Sequence, residues 1–197
     1  MSMAKGAEAA FRRGLEDAAN LKQVLAADDH LMATCLEVAD AIVAAFRAGG
    51  RLWLCGNGGS AADAQHLAAE LSGRYYRDRA PLPAEALHVN ASYMTAVAND
   101  YSYHEVYARL LLGFARPGDV LIGLSTSGNS LNVVNAFKAA REMEVKTVAM
   151  TGAGGGALAF AADWVISIPS SDTPRVQEAH MLLGHLICEV IEGELFP

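Results

Sequence analysis

Cysteine is scarce in this sequence: Cys35, Cys55 and Cys188 are the only three among 197 residues. They are scattered, odd in number and form no CxxC pair, which argues against a disulfide framework and against a thiolate metal site. They are expected to be reduced thiols packed in the core of a cytoplasmic protein. Positive charge is also short, with 15 Lys and Arg against 22 Asp and Glu and a net charge of −7. Binding to a phosphate backbone draws on clustered Lys and Arg, so nucleic acid is not an expected partner. No stretch approaches the roughly 20 apolar residues that span a bilayer. The opening MSMAKGAEAAFRRGLEDAAN holds no contiguous apolar core of signal-peptide length. No membrane partner is expected. Runs of like charge, repeats and low-complexity linkers are missing too, so nothing divides the chain into separate folding units.

What the sequence does have is apolar residues, at 52%, against 19% charged. That balance and length suit one globular domain with a sizeable core. Residues 1–50 read as an N-terminal helical arm for oligomerisation, with helices near 5–25 and 28–48. The second helix is apolar on nearly all sides (Leu31, Met32, Leu36, Val38, Ile42, Phe46), so it requires burial on more than one side, some of it from another subunit. From 51 to 197 the texture alternates. Short apolar runs at 51–56, 86–89, 119–124, 146–150 and 164–168 read as buried parallel strands. Helical patterns lie near 61–74, 91–98, 103–114, 131–142 and 156–162, and a last helix near 174–194. The fold class expected is α/β, a five-stranded parallel sheet with helices on both faces.

In an open parallel sheet, ligands bind beyond the carboxyl ends of the strands. Gly56-Asn57-Gly58-Gly59-Ser60 follows the first strand, and its glycines permit close backbone approach. Ser60 and Asp63 have capping-box spacing, so a tight turn with a cap is the plain alternative to ligand binding. The loop is neither a P-loop nor GxGxxG, and no nucleotide cofactor is expected. Ser125-Thr126-Ser127-Gly128-Asn129-Ser130 follows the third strand and opens a helix. Free N–H groups, the helix dipole and several hydroxyls there suit a phosphate monoester without any lysine. An N-cap accounts for Ser130 but leaves Ser125, Thr126 and Ser127 unexplained. Asn99-Asp100, after the helix at 91–98, is by itself an ordinary turn signal.

Two helices carry groups capable of chemistry. Asp63, His66, Glu70 and Arg74 share one stripe by their three- and four-residue spacing. A solvated polar face is the plain reading, but His66 and Glu70, four apart, can also share one metal or one substrate. In the last helix, His180 and His185 interrupt an apolar run from Ala179 to Ile191. Buried histidines need hydrogen-bond or metal partners, and a satisfied core histidine is the plain reading for each. Gln177 and Glu178 begin the same helix and can face the same cleft. Gln177 and His185 are eight residues apart, about 12 Å along an ideal helix, so their convergence on one ligand requires extended side chains or two subunits.

GNGGSAADAQH, the His66–Glu70 pair, AND at 98–100, LSTSGNS at 124–130 and the terminal VQEAHMLLGH together resemble the phosphoheptose isomerases, in order and spacing from about residue 27 to the end. The resemblance implies a sheet of SIS (sugar isomerase) type, a flavodoxin-like three-layer sandwich, assembled as a homotetramer. It implies interconversion of sedoheptulose 7-phosphate and D-glycero-D-manno-heptose 7-phosphate, the first step towards nucleotide-activated heptose for cell-surface polysaccharide such as lipopolysaccharide. By motif position, Ser125, Thr126, Ser127 and Ser130 match the phosphate loop. Asn57, Gly58, Gly59, Asn99 and Asp100 match sugar contacts. Glu70 matches the catalytic base and His185 the catalytic acid, while Gln177 and His66 match substrate contacts. In zinc-binding members the ligand positions correspond to His66, Glu70, Gln177 and His185, an acceptable nitrogen and oxygen set for one Zn²⁺ per subunit. Asn90 and Ala98 depart from the acidic residue and the glycine that many members carry. A similar SIS paralogue binds the bacterial replication initiator, but its positions for Glu70 and His185 are not Glu and His. Isomerisation of another ketose phosphate, and sugar-phosphate sensing without catalysis, also compete with the heptose reading.

Overall fold

The computed structural model describes residues 2–197, with side chains from residue 6 onward. Two helices come first, α1 (Ser2–Ala26) and α2 (Asp29–Arg47). Asp28 caps α2 by accepting from the Leu31 N–H at 2.9 Å, a contact of about 1 kcal/mol. Five strands follow: β1 (Leu52–Gly56), β2 (Ala84–Ala86), β3 (Val120–Ser125), β4 (Lys146–Thr151) and β5 (Trp164–Ser167). Five more helices interleave: α3 (Gly59–Ser72), α4 (Ala91–Asp100), α5 (Val106–Phe114), α6 (Leu131–Glu142) and α7 (Thr173–Leu195). The sheet is parallel throughout, in the order β2-β1-β3-β4-β5.

Every residue of β1 and β3 is buried, as a strand covered on both faces requires. Side chains alternate between two cores. Leu52 and Leu54 join Ile42, Leu67 and Leu183 on the face covered by α2, α3 and α7. Trp53 and Cys55 join Val97, Leu111 and Phe137 on the face covered by α4, α5 and α6. Buried Asp119 ties the two central strands at their amino ends, accepting from the Arg51 N–H and the Trp53 indole, each at 2.8 Å. All three cysteines are buried free thiols. Among the described residues, no helix is long and apolar enough to cross a membrane.

Five elements differ from the sequence reading. The edge strand lies at Ala84–Ala86, not 86–89, because Ala84 to Ala86 pair with Leu52 to Leu54. The Leu87 N–H then closes the ladder on the Leu54 carbonyl at 2.8 Å. The expected helix at 156–162 is a 3₁₀ turn, Gly156–Phe160, and that at 103–114 opens with another, Tyr103–Glu105. Asn99 and Asp100 form the last turn of α4 and do not follow it. Helix α3 stops at Ser72, so Arg74 lies beyond the stripe it was expected to join.

On α2 the apolar surface exceeds what the chain covers: Val38 and Ile42 are buried, but Leu36 is 52% exposed. Phe11 and Leu15 on α1 and Leu186 on α7 are also exposed.

The strand order reverses between β1 and β3. At such a switch point the two flanking connections leave the sheet in opposite directions and open a crevice at its carboxyl edge. The ladder places Gly56 opposite Leu124, so the loops after β1 and β3 leave the sheet at one level and face each other across that crevice.

Candidate active site

The serine loop after β3 is the more self-contained of the two. Ser130 stands at the N-cap position of α6 but makes no side-chain cap. Its hydroxyl turns back to the Ser125 hydroxyl at 2.9 Å. Ser127 accepts from the Asn129 N–H at 3.2 Å, and the Thr126 carbonyl accepts from the Gly152 N–H at 3.0 Å, at the end of β4. Gly128 has φ +65, and a Cβ there would overlap the Gly155 backbone, so only glycine closes this loop against the next one. Ser125, Thr126, Ser127 and Ser130 thus surround the N-terminus of a 12-residue helix, a ready anion seat.

The loop after β1 is braced across the switch point. Asn57 and Asn132 exchange two amide hydrogen bonds, each 2.8 Å. The Tyr103 hydroxyl donates to Asn57 Oδ1 at 3.1 Å, and the buried Tyr107 hydroxyl donates to the Gly56 carbonyl. Asn132, Tyr103 and Tyr107 were missed by sequence reasoning. The signals available were an amide two residues after the serine loop and two tyrosines four apart. The expected Ser60 cap does not form. Gly58, at φ +55, occupies the cap position without a side-chain bond, so α3 starts two residues earlier and Ser60 is buried within it. Asn99 and Asp100 are exposed, and the Asn99 amide donates to the Asp100 carboxylate at 2.9 Å. Asn90 caps α4 by accepting from the Tyr93 N–H at 3.0 Å, a duty the more usual acidic residue performs equally well.

The third wall is a pair of helices, α3 and α7, lying side by side in parallel. Gly184 makes the close approach possible, since a Cβ there would overlap the Leu67 side chain. Immediately beside that contact, at the adjacent residue of each helix, the ligand-type atoms meet. His66 Nε2 lies 3.0 Å from His185 Nε2 and 3.0 Å from Glu70 Oε1. All three atoms fall within 4.8 Å of one another. Such convergence of two imidazoles and one carboxylate fits a divalent ion with nitrogen and oxygen ligands. Gln177 packs its amide on Gly59, leaving no room for a side chain there. Despite the two turns between them, Gln177 and His185 line one cavity of about 570 Å³, together with Asp63 and Lys22. Burial raises the Asp63 carboxyl above its ordinary value, against the opposing pull of His66. Its Oδ2 has no partner among the described residues.

His180, by contrast, is a core histidine. Its Nε2 meets the Thr151 carbonyl at 3.1 Å, and it is fully buried. Burial pushes its pKa down to about 4 in spite of that backbone contact. Glu178 lines the same cavity as Gln177 and His185, where it pairs with Arg175 at 2.8 Å.

The SIS domain model matches residues 17–152. The phosphoheptose isomerase of Mycobacterium bovis (strain BCG / Pasteur 1173P2) is 56% identical over 169 residues, 86% of each chain. That of Rhodospirillum rubrum is 54% identical over 159 residues, 81% of this chain and 85% of its own. Among solved structures, the phosphoheptose isomerase from Neisseria gonorrhoeae superposes with a TM-score of 0.88 at 36% identity, covering 94% of this chain and 98% of that one. Agreement at this level, over so much of each partner and on the same fold, places the chain in the phosphoheptose isomerase family of SIS-domain proteins.

Proposed function

We propose that the protein is an aldose–ketose isomerase converting sedoheptulose 7-phosphate to D-glycero-D-manno-heptose 7-phosphate. The observation that carries the reading is the meeting of Glu70, His66 and His185 between α3 and α7, in a chain whose third strand ends in a serine loop suited to an anion. The serine loop holds the phosphate at the far end of the sugar and spends that binding on orientation. Asn57, Gly58, Gly59, Asn99 and Asp100 are the sugar contacts. Glu70 removes the proton from the carbon beside the carbonyl, and His185 protonates the carbonyl oxygen, giving an enediol. The proton returned to the neighbouring carbon completes the exchange. General acid and base each contribute about 10²–10⁴-fold. His66, Glu70, Gln177 and His185 are the residues that would hold zinc, which supplies Lewis-acid stabilisation of the developing negative charge on oxygen. Glu70 cannot serve as a free base and a tight ligand with the same lone pairs, so its two roles compete.

The same reading covers the rest of the molecule. Residues 1–50 act as an oligomerisation arm on the SIS domain at 51–197. The exposed apolar residues Phe11, Leu15, Leu36 and Leu186 are covered in a homotetramer. The enzyme works in the cytoplasm, at the start of a route to nucleotide-activated heptose for lipopolysaccharide. The regulatory paralogue is the disfavoured reading, because this chain keeps both Glu70 and His185 and brings them together.

The test is incubation of the purified protein with sedoheptulose 7-phosphate in D₂O, followed by proton NMR. An aldoheptose 7-phosphate carrying deuterium at C2 is the expected product. No product and no exchange, with zinc supplied, would remove sedoheptulose 7-phosphate as the substrate and leave another ketose phosphate or the regulatory reading.

A further inference from the structure

Between the end of α3 and the edge strand β2, residues 73–83 form a strap across the end of α7. An ion pair hidden from water pins it there: Arg79 Nε meets Glu192 Oε1 at 2.8 Å, with side chains 1% and 2% exposed. Glu192 also accepts from the backbone N–H groups of Tyr75, Tyr76 and Arg77 at 3.2, 2.8 and 2.9 Å. Burial alone would raise the Glu192 carboxyl, but these N–H groups and the Arg79 guanidinium outweigh it and hold the carboxyl below its ordinary value. On its other side Arg79 donates to the carbonyls of Glu70 at 2.9 Å and Leu71 at 2.8 Å.

These contacts are placed where the chemistry needs them. One guanidinium grips the backbone of Glu70 itself. Its carboxylate partner sits seven residues beyond His185, two turns on and along the same stripe of α7. The strap also lays the Tyr75 ring on the imidazole of His185, with centroids 5.7 Å apart and planes 24° from parallel. Imidazoles that ligate metals normally have their orientation fixed by a hydrogen bond from the other ring nitrogen. Among the described residues, the one hydrogen-bond contact of the His185 ring is with His66. The stacked Tyr75 ring is what remains to set its plane. A buried ion pair is weak evidence of stabilisation for its own sake, because desolvation offsets most of the attraction. Its directional bonds do fix two helices in register, and here those helices carry His66 and Glu70 on one side and His185 on the other.

We infer that Arg79 and Glu192 are positioning residues for the metal corner, and that Tyr75 is the part of the strap that aims His185. The inference rests on the reading of His66, Glu70 and His185 as a metal site. Its test is zinc affinity, measured on the intact protein by competition with a chromophoric chelator, beside the visible spectrum of the cobalt(II)-loaded protein. Tyr75→Leu and Glu192→Gln are expected to weaken zinc binding about 10–100-fold and to shift the cobalt bands, while Tyr75→Phe stays within about twofold of the parent protein. Tyr75 lies outside the helices and strands, so the Leu and Phe pair decides the matter even where Glu192→Gln costs the fold. Parent-like zinc affinity and an unchanged cobalt spectrum in Tyr75→Leu would overturn the positioning role alone. A parent protein that takes up neither metal would overturn the metal reading and the positioning role together. Neither readout depends on turnover of sedoheptulose 7-phosphate.

Discussion

At the serine loop, Ser125, Ser127 and Ser130 present neutral hydroxyls that already bond one another and the backbone nearby. At the corner between α3 and α7, His66, Glu70 and His185 present ionisable groups, backed by an ion pair buried away from water. The contrast follows from the role proposed for each region. Neutral donors at a helix N-terminus hold an anion without titrating, and their local bonds suffice to shape them. Groups that must exchange protons or hold a metal repel or drift unless other contacts over-determine their geometry. The proposed anion binding is therefore written into one short segment, whereas the proposed chemistry is spread over two helices and a strap.

Four substitutions bear on that contrast. Glu70→Gln is expected to lower turnover by about 10²–10⁴-fold while the thermal unfolding curve stays close to that of the parent protein. Retention of most activity in the NMR assay would take the base role from Glu70. Glu192→Ala leaves the Arg79 charge buried and unpaired, and should cost about 3–5 kcal/mol in urea unfolding. A loss of only a few tenths would show that the strap does not bear on the fold at all.

The third concerns His180, which fastens α7 to the end of β4 beneath both regions. The folded protein holds it neutral, so acid protonates the unfolded chain first. Stability is full above His180's ordinary value of 6.5 and drains as the pH falls towards about 4, a loss on the order of 3 kcal/mol. His180→Leu should flatten that part of the stability–pH profile, and an unchanged slope would place its origin elsewhere. The smallest effect is expected at the neutral end. Ser130→Ala should raise KM about 2- to 10-fold, the worth of one neutral hydrogen bond, and leave zinc affinity as it was. A fall in zinc affinity there would dissolve the separation between the two regions.

Both ligand loops were legible because each follows a wholly apolar strand and breaks it with glycine or serine, a local signal. His66 and Glu70 were legible for the same reason, being one helical turn apart. The strand at 86–89 was misplaced because the ladder at Ala84–Ala86 is set by pairing with Leu52–Leu54, and residue type records pairing poorly at a sheet edge. Ser60 looked like a cap, and the start of α3 at Gly59, where the chain meets Gln177, overrode that preference. Asn132, Tyr103 and Tyr75 act through partners 75, 46 and 110 residues away in sequence, and no local pattern announces such contacts.

The alternation of strand and helix, the parallel sheet and the two loops at strand ends were legible in the residues, because each depends on periodicity and backbone freedom over a few positions. Motif order added the family. It took the packed chain to place Gln177 and His185 on one cavity within a single chain, His180 in the core and His185 beside His66 and Glu70, and Arg79 and Glu192 behind both helices. Those outcomes depend on how closely α3 and α7 approach at Gly184 and in what register, and that is settled by packing between segments more than a hundred residues apart.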